Sequence, residues 1–216
     1  MFTLEIVSDI VCPWCYIGTR RLAAAVAMIR QERPDFALRP HWRPFFLNPD
    51  TPPEGEPYLP FLERKFGSRD KVEEILARVR AAGAPYGISY AFEKIALRAN
   101  TLQAHRLLHW AQTVNPDQPM IDALVERLFM AQFQRGEHVG DPEVLVACAA
   151  DCGYDPGTVR AYLSSGRDEE IVRDEVAEVQ RLGINMVPTF ILPNREIIVG
   201  AEDPAILAAG IRRALP

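Results

Sequence analysis

Only four of the 216 residues are cysteine, too few for a disulfide scaffold to be what holds the fold together. An excess of positive charge is also missing. Lysines and arginines number 24 against 29 aspartates and glutamates, the net charge is −5, and no basic run interrupts the balance. Nucleic-acid binding, which needs a basic footprint, is therefore set aside. No apolar run approaches the roughly 20 residues that a membrane span needs. The opening segment MFTLEIVS has no basic leader and no small-residue cleavage site, so the expectation is a cytoplasmic protein. Internal repeats and low-complexity tracts are absent too. With 48% hydrophobic and 25% charged residues the composition is ordinary for a globular protein, and the length suits one domain with an insertion as well as two domains.

What is present begins with alternation. Phe2, Leu4 and Ile6 alternate with Thr3 and Glu5, which predicts a strand whose end delivers the chain to Cys12. Pro13 fits the first position of a helix, and Leu22, Val26 and Ile29 give that helix an apolar stripe that Pro34 stops. FALRPHWRPFFL, residues 36–47, reads as a second strand, with Pro40 and Pro44 confining part of it to a sheet edge or an irregular end. NPDTPPEGEP, residues 48–57, marks a loop or boundary. Beyond it the apolar period becomes helical, with Val72, Ile75, Leu76 and Val79 in one stripe and Ile121, Leu124, Val125 and Leu128 in another. Asp141-Pro142 and Asp155-Pro156 are helix openings, and Asp168 is expected to cap a helix that turns Val172, Val176, Val179 and Leu182 inward. PTFIL and IIVG, joined by PNRE, predict a hairpin, and Asp203-Pro204 opens a last helix. The expected architecture is α/β: residues 1–50 and 166–216 form one domain, and residues 51–165 form an all-helical insertion.

Cys12-Pro13-Trp14-Cys15 is the motif with chemistry in it. A sulfur where a strand ends and a helix begins faces unpaired backbone N–H groups and the positive end of the helix dipole, which favours the thiolate at Cys12. Cys15, one turn further in, is shielded by the helix and positioned to attack a mixed disulfide formed at Cys12. A zinc site would need a second ligand pair, and no further CxxC or CxxH follows. His105 and His109 stand at i, i+4, but no glutamate completes an HExxH, so no metal is expected. A static Cys12–Cys15 staple would close too short a loop to constrain the unfolded chain much. Pro188, ahead of the hairpin, belongs at a strand start or a special turn, and a cis Val187–Pro188 bond would leave the Val187 backbone free to pair with an extended peptide. Cys148 and Cys152, four apart on one helix face, are expected to pack as buried free cysteines.

CPWC at a helix start, the helical insertion and Val187-Pro188-Thr189 ahead of the final hairpin together resemble the thioredoxin fold in its DsbA-like form. SDIVCPWCYIG, WRPFFLNP, NTLQAHRL and VPTFIL, in that order, resemble the cytosolic FrnE-type branch of that family over essentially the whole chain. The resemblance implies a thiol–disulfide oxidoreductase in which Cys12 is the nucleophile, Cys15 the resolving thiol and Pro188 a cis-proline opposite them. It places Pro13, Trp14, Val187, Asn48, Asn100, Thr101 and His105 at or near the substrate. No metal or organic cofactor is implied. A disulfide- or thiol-containing protein or small molecule would be the partner, glutathione is a candidate thiol, and homodimers occur among relatives. Two departures stand out. Ile6 occupies the place where better-known relatives keep a buried acid, leaving Asp9, expected as a solvated loop acid, as the nearest carboxylate. Trp14 replaces the histidine of DsbA, so a less strongly acidified Cys12 is expected. A glutathione-dependent isomerase or transferase shares the architecture but typically uses serine where Cys12 stands. A redox-gated holdase or assembly factor is the alternative of another class.

Overall fold

The computed structural model describes residues 2–114 and 116–216. Its strands are β1 (Phe2–Ser8), β2 (Leu38–Pro44), β3 (Glu56–Pro57), β4 (Leu97–Arg98), β5 (Thr189–Ile191) and β6 (Ile197–Val199). Its helices are α1 (Pro13–Glu32), α2 (Tyr58–Phe66), α3 (Arg69–Gly83), α4 (Leu102–Val114), α5 (Gln118–Met130), α6 (Pro142–Asp151), α7 (Pro156–Ser164), α8 (Glu169–Arg181) and α9 (Pro204–Ala214). The main sheet has the order β2-β1-β5-β6, with β1 parallel to β2 and antiparallel to β5. Parallel neighbours need a crossover, and α1 supplies it. β1 is interior because both of its faces are apolar: Leu4 and Ile6 enter the main core, while Val7 turns to a smaller cluster with Phe45, Val179 and Ile184. β2 carries Pro40 and Pro44 and takes the edge, where a missing N–H costs no ladder bond.

The fold is that of a thioredoxin-like sheet with helices α2 to α7 inserted between β2 and α8. α1 buries Leu22, Val26 and Ile29 as its stripe predicts. α9 packs beside α1, and α8 lies against β2 and α4. Asp141, Asp155 and Asp203 cap their helices by accepting from backbone N–H groups two or three residues on. Among the described residues, no helix is long and apolar enough to cross a membrane.

Three local expectations change. The inserted segment is not purely helical, because Glu56 and Pro57 pair antiparallel with Arg98 and Leu97. The approach is close enough that a Cβ on Gly55 would lie 2.7 Å from the Arg98 carbonyl, so glycine is needed there. Asp168 precedes α8 in the left-handed region (φ 63°) and makes no capping hydrogen bond. Leu182 follows the last turn of α8 and is 56% exposed, because the helix ends before the stripe returns to the core.

Candidate active site

β1 ends at Ser8, a tight turn donates the Cys12 N–H to the Asp9 carbonyl (3.0 Å), and α1 begins at Pro13. Cys12 is therefore the N-cap residue, with its sulfur at the end of the helix where N–H groups lack intrahelical partners. Proline at the first helical position removes a donor that would have been orphaned and presets the backbone. Cys12 is 4% exposed, and its Sγ lies 3.8 Å from the Val187 carbonyl. The Val187–Pro188 peptide is cis. The Pro188 ring packs onto α1 at Gly18, where a Cβ would approach Pro188 Cγ to 2.8 Å. The second thiol, Cys15, is wholly buried within the first turn of α1.

Burial pushes the Cys15 thiol well above its ordinary value, and the neighbouring Cys12 sulfur adds to the effect. The Ser8 hydroxyl and the Asp9 backbone N–H face Cys15 and work the other way, favouring its thiolate. The Ser8 Oγ is near the sulfur without a formed hydrogen bond, and it is buried with no other partner. Cys12 thus lines a cleft, and the second thiol sits behind it as a neutral group.

The cleft at Cys12 encloses about 280 Å³ between α1, the Val187 loop and the inserted helices α2 and α3. Pro13, Trp14, Asn48 and Val187 line it. Trp14 is 40% exposed at its rim. The far wall was missed by sequence reading: Tyr58, Phe61 and Phe66 of α2 and Leu76 of α3 make it apolar, and Lys65 and Arg98 add charge. Arg98 is neutralised by Glu56 (2.6 Å) and Asp50 (3.5 Å), whereas the Lys65 Nζ donates to Asn48 Oδ1 at 3.1 Å. Opposite, the Tyr90 hydroxyl donates to the Pro13 carbonyl at 2.6 Å, tying the inserted segment to the CxxC turn.

Asn100, Thr101 and His105 lie elsewhere. Asn100 bridges the Thr51 carbonyl and the Leu102 N–H, so it ties a loop to the start of α4. Thr101 is buried, and its carbonyl accepts the first hydrogen bond of α4 from His105. His105 is 5% exposed, with Nε2 3.2 Å from Asp9 Oδ1 and 3.1 Å from the Phe45 carbonyl. Asp9 is not a solvated loop acid: it has no exposed surface, and its Oδ2 accepts the Leu47 N–H at 2.8 Å. The turn after β1 folds it inward because a carboxylate there satisfies one backbone donor and one imidazole at once. Cys148 is buried in α6 and burial raises its thiol to about 12; Cys152 is half-buried and raised for the same reason.

A CxxC at the first turn of α1, facing a cis-proline across the end of a thioredoxin-like sheet, defines the class of protein. The chain belongs to the DSBA-like thioredoxin domain family, whose model matches residues 3–212. It is 23% identical over 209 residues to the uncharacterized protein YwbO of Bacillus subtilis, covering 96% of this chain and 94% of that one. Among solved structures it is similar to a probable DsbA oxidoreductase from Streptomyces coelicolor, with a TM-score of 0.87 and 28% identity over 99% of this chain and 90% of that one. The fold is also that of the cytosolic disulfide reductase DsbM from Pseudomonas aeruginosa, solved with GSH, at a TM-score of 0.67, 17% identity and 98% coverage of both chains.

Proposed function

We propose that the protein is a thiol–disulfide oxidoreductase working through a mixed disulfide at Cys12. The observation that carries this reading is the pairing of an N-cap thiol at the floor of a cleft with a buried second thiol one turn behind it. The Cys12 thiolate attacks a substrate disulfide, forming a Cys12–substrate bond while the departing substrate sulfur keeps the electron pair. Cys15, as thiolate, then attacks Cys12, forming the Cys12–Cys15 disulfide and releasing the second substrate thiolate. In the opposite direction a substrate thiolate attacks the Cys12–Cys15 disulfide and Cys15 leaves. The Val187 carbonyl beside Cys12 suits pairing with an extended substrate backbone, and Trp14 with the α2 wall suits an apolar chain. Substrates are disulfide- or thiol-containing proteins or small molecules, with glutathione a fitting thiol. So few cysteines, with a CxxC among them, fit a reducing compartment, and the cytoplasm is the proposed location.

An equilibrium titration against glutathione, with Cys148 and Cys152 replaced by alanine, tests this. A single two-electron transition is expected, and Cys15→Ala should accumulate a glutathione adduct at Cys12 visible by mass spectrometry. Adduct formation at Cys12 without any Cys12–Cys15 disulfide in the parent would sink the reading and favour a glutathione-dependent transferase.

A further inference from the structure

The second thiol has a proton to lose, and the nearest buried carboxylate along the chain, Asp9, is committed to the Leu47 N–H and His105. The Ser8 hydroxyl faces the sulfur and has no formed hydrogen bond. Ser8 also lines a pocket of about 10 Å³ on the far side, shared with Ile10, Trp42, His105, His109 and Glu175. That volume suits one water, for which Ser8, His105, His109 and Glu175 bring polar groups to a lining otherwise largely apolar. His105 enters the pocket with Nε2 already committed to two acceptors, Asp9 Oδ1 and the Phe45 carbonyl. Nε2 therefore carries a hydrogen, which leaves Nδ1 as the ring nitrogen able to accept one.

We propose that Ser8, one water and the Asp9-held imidazole of His105 form the proton path that ionises Cys15 during resolution. This inference rests on the oxidoreductase reading. Cys15 S–H gives its proton to Ser8 Oγ, Ser8 passes its own hydroxyl proton to the water, and the water passes one to His105 Nδ1. The products are a Cys15 thiolate and an imidazolium, so charge is conserved. The thiolate attacks Cys12 Sγ, the Cys12–substrate S–S bond breaks, and its electron pair leaves on the substrate sulfur. Asp9 is a positioning residue: its carboxylate fixes the tautomer and stabilises the imidazolium without itself taking the proton. His109 and Glu175, 3.2 Å apart and 17% and 28% exposed, give the proton an exit to solvent. The reverse passage supplies the proton when Cys15 is the leaving group.

The charged and titratable groups around this path are few. Near Cys15 they are Cys12 on the same helix and Tyr90 from the inserted segment, with Lys65 of α2 acting on Cys12. Near His105 they are Asp9 after β1, His109 on the same helix, Glu175 of α8, and Arg43 of β2, which is engaged by Glu5 and Glu178.

The test mixes reduced protein, lacking Cys148 and Cys152, with an excess of an aromatic disulfide that releases a coloured thiolate. Attack by Cys12 gives a first release whose rate follows reagent concentration, and resolution by Cys15 gives a second that does not. Ser8→Ala and Asp9→Asn should leave the first phase within about twofold while slowing the second at neutral pH by at least about tenfold, in line with a lost general base. The deficit should shrink as hydroxide takes over at alkaline pH. Second phases with parental rates and pH profile in both variants would overturn the path while leaving the oxidoreductase reading intact, and so would equal slowing of both phases at every pH. A parent that releases one thiolate per chain and no more would remove the reading, and the path with it. Should Asp9→Asn fail to fold, Ser8→Ala, which deletes an unpartnered hydroxyl, decides alone.

Discussion

At the scale of single residues, Lys65 brings a cation into the cleft that Cys12 lines. Its Nζ lies 5.4 Å from the Phe61 ring and 5.9 Å from the Phe66 ring, and among the described residues it makes no ion pair. Burial, followed by the charge of Arg98, pulls its pKa below the usual lysine value, while Asp50 and Cys12 pull it back. A cation held over an apolar wall in the same cleft as Cys12 would attract an anionic substrate. Lys65→Gln should slow attack on an anionic aromatic disulfide by roughly fivefold, about 1 kcal/mol of Coulomb interaction at a partly wet site. A neutral disulfide should lose less, and added salt should narrow the gap. Equal losses on both reagents at every ionic strength would show that Lys65 shapes the wall rather than reads charge.

At the scale of elements, α1 is where sequence and structure meet most directly. Its start, its stripe and its two thiols were legible because all depend on local spacing: Pro13 sets the first turn, and Leu22, Val26 and Ile29 repeat on one face. The β5–β6 hairpin was legible for the same reason. The α2 wall of the cleft was not, because Tyr58, Phe61 and Lys65 reach Cys12 only through the packing of an insertion whose angle no local pattern fixes. Nor was the inward turn of Asp9, whose two partners come from residues near 46 and from α4. Gly18 was silent for a different reason. A glycine inside a helix normally costs about 1 kcal/mol relative to alanine, and only the approach of Pro188 explains it. Gly18→Ala gains that propensity but drives a Cβ against a rigid ring, and overpacking of this kind costs about 1–3 kcal/mol. A lower midpoint in urea and slower reaction at Cys12 are expected. A variant more stable than the parent with unaltered thiol reactivity would mean that the Val187–Pro188 loop yields freely.

At the scale of the whole molecule, buried thiols couple stability to pH. Cys15, Cys148 and Cys152 all have their pKa values raised, with burial the largest cause. The folded chain therefore keeps protons that the unfolded chain releases above the ordinary thiol value of 9.0. The contribution is fully present below that pH and is lost as pH rises; for Cys148 the window runs from 9.0 to about 12. Within it the Cys148 thiol removes up to about 1.4 kcal/mol per pH unit. Cys148→Ala isolates one of them, because the residue lies in α6 away from the cleft and is fully buried. Below the window the variant should be less stable than the parent by about 1 kcal/mol, through the small cavity left by the sulfur. Above pH 9.0 that deficit should close and then reverse, since the variant has no proton to hold there. Urea unfolding of both proteins across the window measures the gap directly. A gap that stays constant with pH would mean that the folded protein lets the Cys148 thiol ionise as readily as the unfolded chain does, against the burial seen in α6.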